Sequence, residues 1–349
     1  MHYSSSSNSV LRSQRRITLS RRIIALLLSL TAVAAACGSD EEALIVYSGR
    51  SEDLIGPLLE EFTATTGTPV AARYGQSADL ALLIQQEGER SPADVFISQS
   101  PGAVGLLSGE GSLKQLSEDT TSLVGEPYRN GSGYWVGLSG RVRVLVYNSE
   151  LVPTGELPAS VFDLVDDRYR GRVALAPANG SFQDFVTGMR EIHGDEATQD
   201  WLDGMERNDS PTYANNSSIV QAVGRGEVDM GLVNHYYNLR ALNEDPSLSS
   251  VNHFFGDVGS LVIITAGAVP ASSDRSEQAE ELLRYLLSRQ AQVFLADGTF
   301  EYPLALGDAG PAGLPSLAAL DATTYDFETL SGGLLKTKEM IDASGLEEP

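Results

Sequence analysis

Val228-Asp229-Met230-Gly231-Leu232-Val233-Asn234-His235-Tyr236-Tyr237 is the stretch on which the reading of this chain turns. Val228 to Val233 reads as a short buried strand, bounded upstream by Gly224, Gly226 and Glu227. Asn234 then stands where a helix N-cap belongs, and Tyr236 to Leu242 fits the first turns of that helix. Two phenols would therefore sit at the carboxyl end of a strand and at the positive end of a helix dipole, which lowers the cost of ionising a phenol. A tyrosine pair so placed can hold a hard, highly charged metal ion. Adjacent tyrosines also commonly do no more than pack their rings, so the rest of the chain has to decide.

Outward from this stretch, strands and helices alternate almost throughout, which marks an α/β protein with largely parallel sheets. Leu44 to Tyr47 is a strand, and Ser51 can cap a helix whose apolar face is Leu54, Ile55, Leu58, Leu59 and Phe62. Gly67 ends that helix, Val70 to Tyr74 is a strand, Ala78 to Gln86 a helix, and Val95 to Ile97 a strand running into Ser98-Gln99-Ser100. Val142 to Tyr147 is a β-branched run near which the chain leaves a first lobe. Val173 to Leu175 leads through Asn179-Gly180-Ser181 into a helix from Phe182 to Ile192, and Leu261 to Ala266 looks like a strand returning to the first lobe. Three strand ends thus finish in small polar residues, and in open α/β sheets ligands bind outside the carboxyl ends of strands.

The chain has 349 residues, enough for two ordinary domains, and a formal net charge of −23. Its first 36 residues hold five arginines and no acid, leaving −28 for the remainder. So acidic a surface argues against nucleic acid, which is bound by lysine and arginine neutralising phosphates. The basic stretch Arg12 to Arg22 and the apolar run Ile23 to Ala36 read as a signal peptide over 1–36, too short to span a bilayer comfortably. Ala34-Ala35-Ala36 before Cys37, the only cysteine, resembles a bacterial lipoprotein lipobox, although leucine is usual at the position of Ala34. That resemblance implies lipid on Cys37, residues 37–43 as a lipid-anchored linker, and an exported protein held to the outer face of the cell membrane. An ordinary secretory leader, giving a periplasmic protein, is the alternative, and the arginine pairs also permit twin-arginine export. With one cysteine no internal disulfide can form, so the core alone must hold the fold.

Six pieces, in order, resemble the periplasmic ferric-ion-binding proteins that deliver iron to ABC importers. They are Ile45-Val46-Tyr47-Ser48-Gly49-Arg50, Ala93-Asp94-Val95-Phe96, Pro177-Ala178-Asn179-Gly180-Ser181-Phe182, Asn215-Asn216-Ser217, Gly226-Glu227-Val228-Asp229 with Asn234-His235-Tyr236-Tyr237, and Glu301-Tyr302-Pro303. The resemblance implies a two-lobed periplasmic-binding-protein fold, type II-like, with a hinge and an inter-lobe cleft. Lobe 1 would take 44–140 plus about 265–307, and lobe 2 would take 141–264 plus about 308–349. Tyr236 and Tyr237 match the family's paired tyrosinate ligands to Fe(III). Asn179, Gly180, Ser181, Asn216 and Asn234 match positions that hold a synergistic anion, phosphate or carbonate. The chemistry agrees, since ferric ion prefers phenolate and other oxygen donors and exposed amides at a helix N-terminus suit an anion.

The chain also departs from the pattern. Ser51 stands where the best-known branch has a histidine ligand, Gln99 where it has a carboxylate, Ser100 at a neighbouring anion contact, and Ser181 where other members have a third tyrosine. Ser51, Gln99 and Ser100 are therefore expected only to line the cleft. Two protein ligands remain, with the anion and water completing the coordination; otherwise the solute is a small anion or organic molecule without iron. His235, next to the ligands, is expected to make a hydrogen bond rather than bind metal. No Gly-x-Ser-x-Gly elbow, HExxH helix or Walker loop occurs, so an enzyme is not expected. The expected protein is a monomer that captures ferric ion with an anion and presents it to an ABC permease.

Overall fold

The computed structural model describes residues 42–307, 310–320 and 333–346. The signal peptide, Cys37 and most of the linker lie outside the described residues, as does part of the tail. Nine strands form one continuous mixed sheet in the order β2-β1-β3-β8-β4-β6-β5, with β7 and β9 also paired to β4. The strands are β1 (Leu44–Ser48), β2 (Val70–Tyr74), β3 (Val95–Ser98), β4 (Val136–Asn148), β5 (Val173–Ala174), β6 (Met230–Asn234), β7 (Ser250–His253), β8 (Val262–Ala268) and β9 (Tyr302–Pro303). The helices that matter for the site are α1 (Glu52–Thr66), α2 (Ser77–Glu87), α3 (Pro101–Gly109), α4 (Gly180–Arg207), α5 (Asn216–Gly224) and α6 (His235–Glu244). They are followed by α7 (Ser276–Leu286), α8 (Arg289–Gly298) and α9 (Gly333–Ser344).

The thirteen-residue β4 organises the molecule. Its first half pairs antiparallel with β8, ending at Arg141 opposite Ile263 and Val142 opposite Val262. From Arg143 onward the same strand pairs with β6, Arg143 opposite Asn234 through Tyr147 opposite Met230, and with β7. The exchange of partners falls between Val142 and Arg143, in a strand buried along its whole length. Such burial on both faces removes the polar alternation that a half-exposed strand would show.

The expectation of largely parallel sheets holds for β2-β1-β3 and for β5 with β6, but β4 and β8 run antiparallel to their neighbours. Alternation of strands and helices predicts parallel pairing only while every strand is followed by a crossover helix. β4 is long enough to pair with β8 along its first half and with β6 and β7 along its second, and the pairs β3 with β8, β4 with β6, β4 with β7 and β4 with β8 are all antiparallel. β6 begins at Met230 rather than Val228, because the Asp229 carboxylate is turned aside to accept from Arg172 Nε at 2.6 Å.

α1 forms on the expected stripe: Leu54, Ile55, Leu58, Leu59 and Phe62 are buried, each contributing roughly 1.5–3 kcal/mol by leaving water. Gly231 lets α5 approach β6, since a Cβ there would meet Ile219 Cγ2 at 2.2 Å. α4 kinks at Gly194, whose φ of 85° breaks what would otherwise be 28 helical residues, so the segments expected at Phe182 to Ile192 and Trp201 to Met205 are two arms of one element. α9 was not foreseen from sequence. It lies on α4, with Thr187 and Thr337 hydroxyls 2.7 Å apart and Arg190 donating to the Gly333 carbonyl at 2.8 Å.

Candidate metal and anion site

β6 ends at Asn234 and α6 begins at His235, so the strand end delivers the two tyrosines to the first turn of a helix, as their sequence predicts. The rings of Tyr236 and Tyr237 stack, with centroids 4.2 Å apart and planes 29° from parallel. Tyr236 is buried; Tyr237 is half-buried and forms part of the wall of a cavity of about 280 Å³. Burial and then the neighbouring Tyr237 push the Tyr236 phenol well above its ordinary pKa, against the opposing charges of Arg50 and Arg141. Tyr236 is therefore a neutral phenol until a cation joins it, and a trivalent ion is the kind of charge that inverts that preference.

Asn234 takes the backbone conformation of an N-cap, but its side chain does not cap the helix. Its Oδ1 instead accepts from Arg143 Nη1 at 3.3 Å, since a charged donor outcompetes a neutral backbone amide. His235 is wholly buried and held at both nitrogens: Nδ1 accepts the Val142 N–H at 3.1 Å, and Nε2 lies 2.7 Å from the Phe300 carbonyl. A backbone N–H can only donate, so Nδ1 carries the lone pair and Nε2 the proton. Burial pulls the His235 pKa down to about 4. The neutral ring has no nitrogen left for a metal and instead ties α6 to β4 at its partner exchange and to Phe300, a non-glycine residue at φ 58°.

The residues singled out for an anion converge on one guanidinium. Asn179 caps α4, its Oδ1 accepting from Ser181 N at 3.1 Å and Ser181 Oγ at 2.6 Å. Asn216 opens α5 and donates to Asn179 Oδ1 at 3.1 Å and Ser181 Oγ at 3.0 Å. Arg143 Nη1 reaches Ser181 Oγ at 3.3 Å and Asn216 Oδ1 at 3.4 Å as well as Asn234, while Nη2 donates to the Leu232 carbonyl at 2.8 Å. Gly180 is exposed at the first turn of α4. Arg143 is fully buried beside the rings of Phe182 and Phe185, at 5.9 and 5.5 Å. Burial draws its pKa down to about 9, which leaves it charged at neutral pH.

Two more buried arginines complete the charge pattern. Arg50 forms an ion pair with Glu301, whose other oxygen accepts from Ser139, and its charge acts on the Tyr236 and Tyr237 phenols. Arg141 donates to the Gln99 carbonyl. In the orientation that satisfies both its amide atoms, the Gln99 side chain donates to the Gly49 carbonyl at 2.9 Å and accepts from Arg141 at 3.3 Å. Gln99 thus ties the ends of β1 and β3 to Arg141. Ser100 caps α3 through its backbone. Burial outweighs Arg141 and Arg143 and raises the Asp184 pKa to about 7. Ser51 is exposed at the N-cap of α1, where its side chain makes no capping bond.

Arg50, Arg141, Arg143, Asp184 and Glu301 were not foreseen as a charged constellation. A signal existed for one of them: Arg143 interrupts the apolar run Val142 to Tyr147, and a buried guanidinium demands partners. Arg50 Nη1, Arg141 Nε, Arg143 Nε and Asn234 Nδ2 are buried donors that bond no other protein atom among the described residues. Donors left over beside a tyrosine pair suit an oxyanion. Among the described residues no group of three or more histidine, cysteine, aspartate or glutamate side chains could hold a metal ion.

The model of the family described as bacterial extracellular solute-binding protein matches residues 90–327. The Fe(3+)-binding periplasmic protein of Serratia marcescens is 32% identical over 330 residues, covering 93% of this chain and 97% of its own. Among solved structures, iron-bound HitA from Pseudomonas aeruginosa superposes with a TM-score of 0.81 at 31% identity, covering 87% of this chain and 99% of that one. The Trichodesmium protein IdiA (FutA), in complex with iron and citrate, gives 0.74 at 28% identity, covering 87% and 100%. These neighbours are two-lobed binding proteins and not enzymes. Matched over most of its length by both the family model and its relatives, the chain belongs to the bacterial extracellular solute-binding proteins, among the periplasmic ferric-iron-binding members of that family.

Proposed function

We propose that this protein captures Fe(III) between two lobes, with Tyr236 and Tyr237 as tyrosinate ligands and a synergistic anion held by Asn179, Gly180, Ser181, Asn216 and Asn234. The observation that carries this reading is the stacked tyrosine pair opening α6, with the Arg50 charge acting on both phenols and Arg143 gathering Ser181, Asn216 and Asn234. Charge arithmetic supports a dianion. Three buried arginines against Glu301, and against Asp184 only so far as it ionises, leave one to two positive charges; two phenolates and a trivalent ion leave another, and carbonate or hydrogen phosphate offsets most of this. Ser51, Gln99 and Ser100 then line the cleft without binding the ion.

The lobes in this proposal are 44–140 with about 265–307, and 141–264 with about 308–349. Two features support these limits: β4 changes partners between Val142 and Arg143, and α9 lies on α4. Export, lipid on Cys37 at the outer face of the membrane, action as a monomer and delivery to an ABC permease complete the proposed role. Phenolate bound to ferric ion absorbs visible light by charge transfer, so protein loaded with iron and carbonate or phosphate is expected to be coloured. Tyr236→Phe and Tyr237→Phe should each shift or abolish the band, and an unchanged spectrum in both sinks tyrosinate ligation.

The unpaired arginine donors motivate one other reading, a small anion bound without iron. Calorimetry with phosphate on metal-free protein separates the two, because the ferric reading expects weak anion binding until the metal is added.

A further inference from the structure

Asp53 stands in the first turn of α1, and Arg240 lies on α6 one turn beyond the tyrosine pair. Helical spacing puts Arg240 on the same side as Tyr236 and Tyr237. The two residues are 187 positions apart in sequence, on helices that follow β1 and β6 respectively, and those strands belong to the groups that β4 joins. Arg240 Nη2 and Asp53 Oδ2 nevertheless meet at 3.2 Å. Both line the cavity of about 280 Å³ whose inner wall includes Tyr237, together with Ser217, Gln221 and Glu244. The pair is partly solvated, Arg240 at 35% and Asp53 at 58% exposure. The half-buried Tyr237 and the Asp53–Arg240 contact therefore border the same cavity, the contact joining two helices that follow strands on either side of β4.

We propose that Asp53 and Arg240 form an ion-pair clasp across the mouth of the site, which sets how fast the ferric ion enters and leaves without contributing a ligand. Its kinetic consequence rests on the metal-binding reading above; its structural consequence does not. A solvated pair of this kind is weak, which suits a clasp that has to open during each cycle. Being partly exposed, it weakens as salt screens it.

The test uses the full exported protein with Arg240→Gln, Asp53→Asn and the charge-swapped double variant Asp53→Arg/Arg240→Asp. Release of iron to an excess of a competing chelator is followed by decay of the visible band. Each single variant is expected to release iron about two- to fivefold faster, the range an exposed pair supplies, with the band maximum unmoved. The wild type should accelerate between about 20 and 300 mM NaCl, where the Debye length shrinks from roughly 20 to 6 Å, while the single variants change little. The swapped pair should slow release again, which a merely structural role for either residue would not produce. Unchanged release in both single variants, or a swapped variant as fast as the singles, overturns the clasp. Small-angle scattering of metal-free protein decides it independently: the singles should be more expanded than the wild type and the swapped variant less so. If the wild type shows no phenolate band, the ferric reading fails while the scattering still judges the clasp, and identical profiles for all four proteins overturn it.

Discussion

Replacing Glu301 by leucine leaves the Arg50 guanidinium buried with no counter-charge, and the structure sets how much that should cost. The ion pair is almost completely withdrawn from water, Arg50 at 3% and Glu301 at 0% exposure. Glu301 also accepts from Ser139, and Arg50 Nη1 already bonds nothing else in the protein. Removing one partner of a buried pair typically destabilises by about 3–5 kcal/mol, because a desolvated charge remains. Replacing both partners by apolar groups of similar size is often close to neutral. Glu301→Leu is therefore expected to lose about 3–5 kcal/mol, Arg50→Met a comparable amount, and the double variant to fall within about 1 kcal/mol of the wild type. Equilibrium urea unfolding of metal-free protein near neutral pH reads this as a midpoint shift of about 1 M or more for the singles, taking an m-value of roughly 3 kcal/mol/M. A single variant losing less than about 1 kcal/mol refutes the reasoning, as does a double variant whose loss equals the sum of the singles. The first result would mean that water reaches Arg50, and the second that the two charges are not coupled.

Two groups, the wholly buried His235 and the half-buried Asp184, should give pH dependences of opposite sign. His235 keeps a folded pKa near 4, below its unfolded value of about 6.5. Its contribution is thus present above pH 6.5 and lost as pH falls toward 4, by about 2–3 kcal/mol; the difference in unfolding free energy between wild type and His235→Gln should fall over that interval, and a flat difference would mean the imidazole titrates normally. Asp184 has a folded pKa raised to about 7, above an unfolded value near 4, so its contribution is present below pH 4 and lost as pH rises through 7. Asp184→Asn should accordingly gain roughly 1–3 kcal/mol on the wild type between pH 4 and 8. No gain in the same titration would mean that Arg141 and Arg143 hold the carboxylate ionised.

The features that could be read from sequence are the locally encoded ones. The tyrosine pair, the apolar strand before it and the N-terminal position on α6 occupy ten consecutive residues, and backbone geometry alone carries the phenols to the strand end. The cap of α4 by Asn179 is equally local, because the capping bond from Asn179 Oδ1 runs to Ser181 N, two residues along the chain, although the same oxygen also accepts from Asn216. Asn234 was read one step short: its backbone caps α6 as expected, but its side chain answers to Arg143, 91 residues away. Gln99 was recognisable as a missing carboxylate, yet its job as a strut depends on Gly49 and Arg141, which sequence proximity does not supply.

By itself, the sequence determined the α/β class, the family's motifs in their order, the acidic charge and the placing of two adjacent phenols at a strand end. Only the tertiary structure decided how those phenols are surrounded. The antiparallel run of β4 past both β8 and β6 puts Arg141 and Arg143 in the interior, and the turn through Phe300 brings Glu301 to Arg50. The physical reason is one of range. Helix periodicity and caps act within a turn or two of chain, whereas a buried charge is tolerable only where distant segments converge on it, and no short window of sequence contains those partners.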